Sequence, residues 1–250
     1  MKLRAFYKYS KFIVIFIVVI FLCILYNIRN NFVELFQGNN RNYKVELICN
    51  VSKETERIEK LGPILDLFNI TPSYSVDKSD VERHELYNKF SKVITKSEAS
   101  LYINHIVILK NYSDKGKYVL IFESDVKPLK ELNSIESDLN TLVEQMTEKN
   151  IDIVFIGKGH LPYVNTSEYQ KLTDTLYRVN SSRCTEAYMV SPRFIEKYLE
   201  YFDNTDNHVS IDHDYNNFFK ATDDIVVAWR IPELFEQDGS VSTIIEHTKY

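Results

Sequence analysis

Five consecutive apolar residues, Tyr118-Val119-Leu120-Ile121-Phe122, run straight into Glu123-Ser124-Asp125. Side chains of a strand alternate between two faces, so a run with no polar alternation predicts a strand covered on both sides. That demand narrows the architectures to layered ones, with helices packed on each face of a sheet. The two carboxylates then fall at the strand's C-terminal end, where open α/β sheets bind ligands. Residues i and i+2 of an extended chain share a face, so Glu123 and Asp125 are expected to converge on one hard cation, Mg²⁺ or Mn²⁺. The plainer alternative is a solvated turn after a strand.

The rest of the chain supplies the partners such a strand needs. Strands are predicted over residues 45–49, 151–156, 185–190 and 225–231. A helix over 53–68 carries Ile58, Leu61, Leu65 and Phe68 at helical spacing, with a break or kink expected at Pro63. A second helix is predicted over 81–94. Thr95-Lys96-Ser97-Glu98 has the form of a capping box and starts a third, through Leu101, His105, Ile108 and Leu109 towards Asn111. Asn133 and Glu136 predict the cap of a fourth, with Ile135, Leu139, Leu142, Val143 and Met146 on its apolar face. Ser191-Pro192 places an N-cap before a first-turn proline, predicting a helix that runs to about Phe202. Alternating strands and helices predict an α/β domain with a mainly parallel sheet, over residues 43–250.

The N-terminus reads differently. Residues 12–26 are an unbroken apolar stretch, preceded by Lys2, Arg4, Lys8 and Lys11. As a helix it covers roughly 22 Å, short for a bilayer core of about 30 Å, although flanking lysines can reach the interface. No small-residue cleavage pattern follows. The expectation is an uncleaved signal anchor at 12–28, a cytoplasmic tail at 1–11, a polar stem at 29–42 and a lumenal domain; cleavage and secretion is the alternative. Beyond the four basic groups of the tail, the chain carries 26 Lys+Arg against 35 Asp+Glu. So acidic a body is not expected to bind nucleic acid. Cys49 and Cys184 leave two free thiols or one disulfide open. Sequons at Asn50, Asn69, Asn111, Asn165 and Asn180 fit a secretory compartment.

Several blocks together resemble glycosyltransferase family 25, the lipopolysaccharide and procollagen galactosyltransferases. They are Cys49-Asn50-Val51 followed by Arg57, the segment from Ser97-Glu98 to Asn104-His105, Leu120-Ile121-Phe122-Glu123-Ser124-Asp125-Val126, and Thr185-Glu186-Ala187-Tyr188-Met189-Val190-Ser191. Ile211-Asp212 and the run from Pro232 to Gln237 close the series. Order and spacing carry the resemblance. Ser124 stands where the family has its middle Asp, Ser97 and Ser100 replace glycines, and Asn104 replaces a Ser.

The resemblance implies a GT-A-like nucleotide-sugar-binding fold and Mn²⁺- or Mg²⁺-dependent transfer of a hexose, galactose or glucose, from a UDP-sugar to a hydroxyl of a protein or glycan. It implies metal ligation by Asp125 directly, with Glu123 acting through water or holding the ribose. It also implies donor contacts from Asn50, Arg57, Glu98 and His105. An inverting transfer needs a base for the acceptor hydroxyl; Asp212 is the first candidate and Asp214 the second. Against these stand a surface position for Arg57, a hydrogen-bonded helix histidine for His105, a helix cap for Asp212 and a glycan on Asn50. His247 from the tail is a further metal-ligand candidate. Two other functions remain open: a two-metal phosphoesterase built from Glu123, Asp125, Asp212, His213 and Asp214, and a non-catalytic binding or adhesion domain.

Overall fold

The computed structural model describes residues 41–159, 165–182 and 184–239. The expected anchor, most of the stem, and His247 lie outside the described residues. Among those described, no helix is long and apolar enough to cross a membrane.

The central sheet contains β1 (Tyr43–Ile48), β2 (Tyr118–Glu123), β4 (Ile153–Phe155), β5 (Gln170–Lys171), β6 (Leu176–Val179), β7 (Ala187–Val190) and β8 (Val227–Arg230), in the order β1-β2-β7-β4-β8-β6-β5. Only β1–β2 and β4–β8 pair in parallel; the other four pairings are antiparallel. Followed from strand to strand, these pairings leave β1, β2, β4, β8 and β5 running one way, with β6 and β7 opposed. The expectation of a mainly parallel sheet thus holds for strand direction but not for the count of pairings. The reason is β7, inserted antiparallel between β2 and β4. Its four residues are buried on both faces, and burial carries no sign of direction.

The two-sided burial of β2 is borne out residue by residue. Val119 and Ile121 join one apolar cluster, and Leu120 and Phe122 join the other. β4 and β7 alternate in the same way, with Phe155 and Tyr188 in the first cluster and Val154 and Met189 in the second. The first cluster is closed by α2 (Lys96–Tyr112), α4 (Pro192–Asn204) and α5 (Ile211–Ala221), through Tyr102, Ile106, Phe194, Tyr198, Tyr215 and Phe218. The second is closed by α1 (Thr55–Phe68) and α3 (Leu132–Glu148), through Leu61, Ile64, Phe68, Leu139 and Met146. A small ribbon, β3 (Val126–Pro128) with β9 (Phe235–Gln237), forms a separate two-stranded sheet that is bridged to the end of β4 through Gly157 and Phe235.

Local signals explain where elements begin. Thr95 and Glu98 form the expected reciprocal capping box of α2. Ser191 accepts the N–H of Phe194, 3.1 Å, ahead of Pro192. Three expectations need correction. The segment 81–94 is two 3₁₀ turns, Val81–Arg83 and Glu85–Lys89, separated because His84 is extended and its ring accepts the Leu86 N–H. The fourth predicted helix, α3, starts after Glu131, which caps nothing with its side chain, rather than at Asn133. α1 runs unbroken through Pro63. Cys49 and Cys184 are not joined in a disulfide.

Candidate functional site

Because β1, β2 and β4 run the same way and β7 opposes them, the C-terminal ends of the first three and the start of β7 share one edge. That edge collects Asn50, Glu123, Asp125, Gly157 and Thr185-Glu186. The chain turns at Ser124 and Asp125 instead of staying extended, so strand alternation does not set the directions of their side chains; hydrogen bonding does.

Glu123 is tied on two sides. Its Oε1 accepts the Thr185 hydroxyl at 2.5 Å and meets His105 Nε2 at 3.3 Å. His105 is fully buried in α2, and its Nδ1 lies 2.7 Å from the Tyr188 hydroxyl, which in turn lies 2.9 Å from the Tyr215 hydroxyl. Asp125 Oδ2 accepts the side-chain amide of Gln237 at 2.7 Å, and the Asp125 carbonyl accepts the Asp238 N–H at 2.6 Å. Asp125 Oδ1 is closed to solvent and has no partner among the described residues. Burial, reinforced by the neighbouring Glu123 charge, pushes the Asp125 carboxyl up to about 6.

Ser124 points elsewhere. Its hydroxyl donates to Glu54 Oε1 at 2.8 Å and accepts from Arg57 Nη1 at 2.7 Å, while Arg57 donates to the same Glu54 oxygen at 2.9 Å. Glu54 thus gives the buried Arg57 a carboxylate partner beside Ser124. Arg57, Lys60, Leu61, Ser124, Asp125, Val126 and Asp238 line a solvent-open cleft of about 250 Å³.

Two side chains at this edge escaped the sequence reading. Glu186 is 1% exposed; its Oε1 accepts the Gly159 N–H at 2.6 Å and its Oε2 has no partner among the described residues. Burial first, then the Glu123 and Asp125 charges, push this carboxyl up to about 7. The available signals were an acid within an otherwise apolar strand block and a glycine, Gly157, closing the strand before it. Gln237 was visible only as the last residue of the closing block.

The other expected residues are dispersed. Asn50 donates its side-chain amide to Asp77 at 2.9 Å, accepts the Ser52 hydroxyl at 2.8 Å and gives its N–H to Glu54 at 2.7 Å. The asparagines of the other four sequons are exposed. Glu98 spends Oε2 on the backbone and hydroxyl of Thr95, 2.8 and 2.7 Å away. Asp214 is sealed in the helix layer at 2% exposure. There its Oδ2 accepts from the hydroxyls of Tyr102 and Tyr198 and lies 3.0 Å from His208 Nδ1. With Tyr102, Tyr198 and His208 all directed at Oδ2, Asp214 is committed to the helix layer. Asp212, half-buried in the first turn of α5, accepts the Ser210 hydroxyl at 2.9 Å. Its carbonyl accepts the hydroxyl of Ser182 at 2.8 Å, on the chain leading to Thr185 and Glu186.

Among the described residues no three His, Cys, Asp or Glu side chains are arranged to hold a metal ion. Bare oxygens of Asp125 and Glu186 are nevertheless the donor type that hard cations take. Cations that work on diphosphates are commonly held by one or two carboxylates plus the phosphates themselves, which a single bare Asp125 oxygen fits.

No family model matches the chain, and no curated protein matches it. Among solved structures, it is similar to a UDP-glucose pyrophosphorylase complexed with UDP-glucose, at 11% identity, 78% coverage of this chain, 74% coverage of that chain and a TM-score of 0.38.

Proposed function

We propose that the protein is a divalent-metal-dependent hexosyltransferase that takes its sugar from a UDP-sugar. The observation that carries the reading is Asp125: a carboxylate at the end of an inner strand, fixed through one oxygen by Gln237, with the other bare and closed to water. Desolvating an acceptor without a donor is costly, and a cation bridging to a diphosphate would offset it. The resemblance of the ordered blocks to glycosyltransferase family 25 supplies the substrate class.

Roles follow from the contacts. Asp125 would hold Mn²⁺ or Mg²⁺, which when bound supplies positive charge to the leaving diphosphate. Glu123, spoken for by Thr185 and His105, keeps that end of β2 rigid and presents its second oxygen to the metal's water shell or the ribose. Arg57 and Lys60 line the adjoining cleft together with Asp125 and Asp238. Arg57 is paired with Glu54 and Lys60 lies near Glu56 and Asp238, so a bound cation would have to supply the positive charge that the diphosphate needs. Asp212, at the mouth of α5 and not sealed as Asp214 is, takes the proton of the acceptor hydroxyl. The phosphoesterase reading is less well served, because Asp214 is committed to Tyr102, Tyr198 and His208.

The test is release of UDP from a panel of UDP-sugars by the purified protein with Mn²⁺. Metal-dependent release that is lost in Asp125→Ala supports the reading. No binding of any UDP-sugar, with or without Mn²⁺, contradicts it and favours a non-catalytic domain.

A further inference from the structure

Glu186 is built into the molecule at some cost and the contacts of the folded chain do not use it fully. Its carboxylate is inside the protein, and among the described residues only Oε1 has a partner, the Gly159 N–H. Buried polar atoms in folded proteins are nearly always hydrogen-bonded. The backbone is shaped to admit it: a Cβ on Gly157 would collide with Oε1 and lie 2.6 Å from its Cδ. The position is equally specific. The Glu186 carbonyl accepts the Glu123 N–H at 3.0 Å, so the residue lies just before β7, beside the end of β2 and the turn that carries Asp125.

The chemistry of the missing partner is restricted. In its ionised form the carboxylate can only accept, so the group that meets Oε2 in that form donates an O–H or N–H, or is a cation. The carboxylates here are not gathered as a shared cation cage. If Asp125 marks the diphosphate, the part of a donor one strand further along the edge is the hexose, a ring rich in hydroxyl donors. The uracil end falls to the other side, towards Cys49 and Asn50, which follow β1.

We propose that Glu186 is the donor-sugar residue of this site: Oε2 accepts hydrogen bonds from hexose hydroxyls while the Gly159 N–H fixes Oε1. The assignment rests on the reading of the protein as a UDP-sugar-dependent transferase. It makes Glu186 a determinant of which sugar is accepted and leaves the nucleotide to other residues. A site built to hydrogen-bond a hydroxyl discriminates sharply, because a wrong partner leaves the buried acceptor bare.

The experiment is calorimetric titration of the full chain with UDP, UDP-glucose and UDP-galactose in Mn²⁺, for wild type, Glu186→Gln and Gly157→Ala. Glu186→Gln keeps an oxygen for Gly159 but puts a donor where Oε2 was. Gly157→Ala displaces the carboxylate without changing its charge. The expected result is an affinity for UDP unchanged in both variants and a loss of about tenfold or more for the preferred UDP-hexose. Equal losses for UDP and UDP-hexose would reveal a role in holding the loop alone and overturn the proposal, as would unchanged affinities throughout. Failure of the wild type to bind any of the three would overturn the transferase reading itself, an outcome distinct from the other two.

Discussion

Gln237 holds Asp125 across a separation of 112 residues, its side-chain N–H donating to Oδ2 at 2.7 Å. The contact is possible because β9 pairs with β3, the strand that leaves Asp125, with Val126 opposite Gln237. The last described strand therefore fixes the rotamer of the carboxylate on which the proposed chemistry depends. Gln237→Ala should lower the affinity for Mn²⁺ in the presence of UDP severalfold and cost about 1 kcal/mol of stability, one hydrogen bond to a charged group. Titration calorimetry and urea unfolding measure the two effects separately.

The raised carboxyls make a stability prediction with a definite sign. Folding lifts Asp125 from 3.8 to about 6 and Glu186 from 4.5 to about 7. The folded state therefore binds these protons more tightly than the unfolded state. Their contribution is most favourable below about pH 4 and is lost as pH rises through 6 to 7. Asp125→Asn and Glu186→Gln should each stabilise the protein at pH 8, on the order of 2 kcal/mol, and do little at pH 4.5. Thermal melts across that range check it; stabilisation greatest in acid would contradict it.

Asp212 and Asp214 are two residues apart and are predicted to fail differently. Asp214→Ala strips the acceptor from Tyr102, Tyr198 and His208 inside the helix layer, at a cost of about 3 kcal/mol. Asp212→Asn should leave the melting temperature nearly unchanged and lower turnover by at least about a hundredfold. Parallel melts and UDP-release assays on the two variants distinguish a structural acid from a catalytic one.

Ser124 gives a coupling test. Ser124→Asp would set a second carboxylate against Glu54 Oε1, which the serine hydroxyl now reaches at 2.8 Å, and Arg57 cannot neutralise both. The substitution should destabilise by about 1–3 kcal/mol, and adding Glu54→Gln should recover most of the loss. Independent, additive effects in a double-mutant cycle would contradict the shared Arg57.

The sequence disclosed what depends on neighbours along the chain. The unbroken run before Glu123 foretold burial on two faces, and Thr95-Glu98 and Ser191-Pro192 foretold helix starts, because each signal acts within one or two turns. It was mute where partners are remote. The direction of β7 is not encoded in its own four residues, since the AYMV segment reads alike in either sense. Asp214 looked like Asp212 until three elements closed around it. Glu186 was hidden by its context, since only the glycine on a neighbouring strand shows that a carboxylate was given room. Gln237 reaches Asp125 through the pairing of β9 with β3, two segments more than a hundred residues apart in the chain.

The most direct test of the account is UDP release by the full chain from UDP-glucose and UDP-galactose, with Mn²⁺ and with a chelator, for wild type and Asp125→Ala at matched folding by circular dichroism. The account predicts release that needs the metal and falls by at least about a hundredfold in Asp125→Ala. Release that persists in the chelator or survives Asp125→Ala would contradict it.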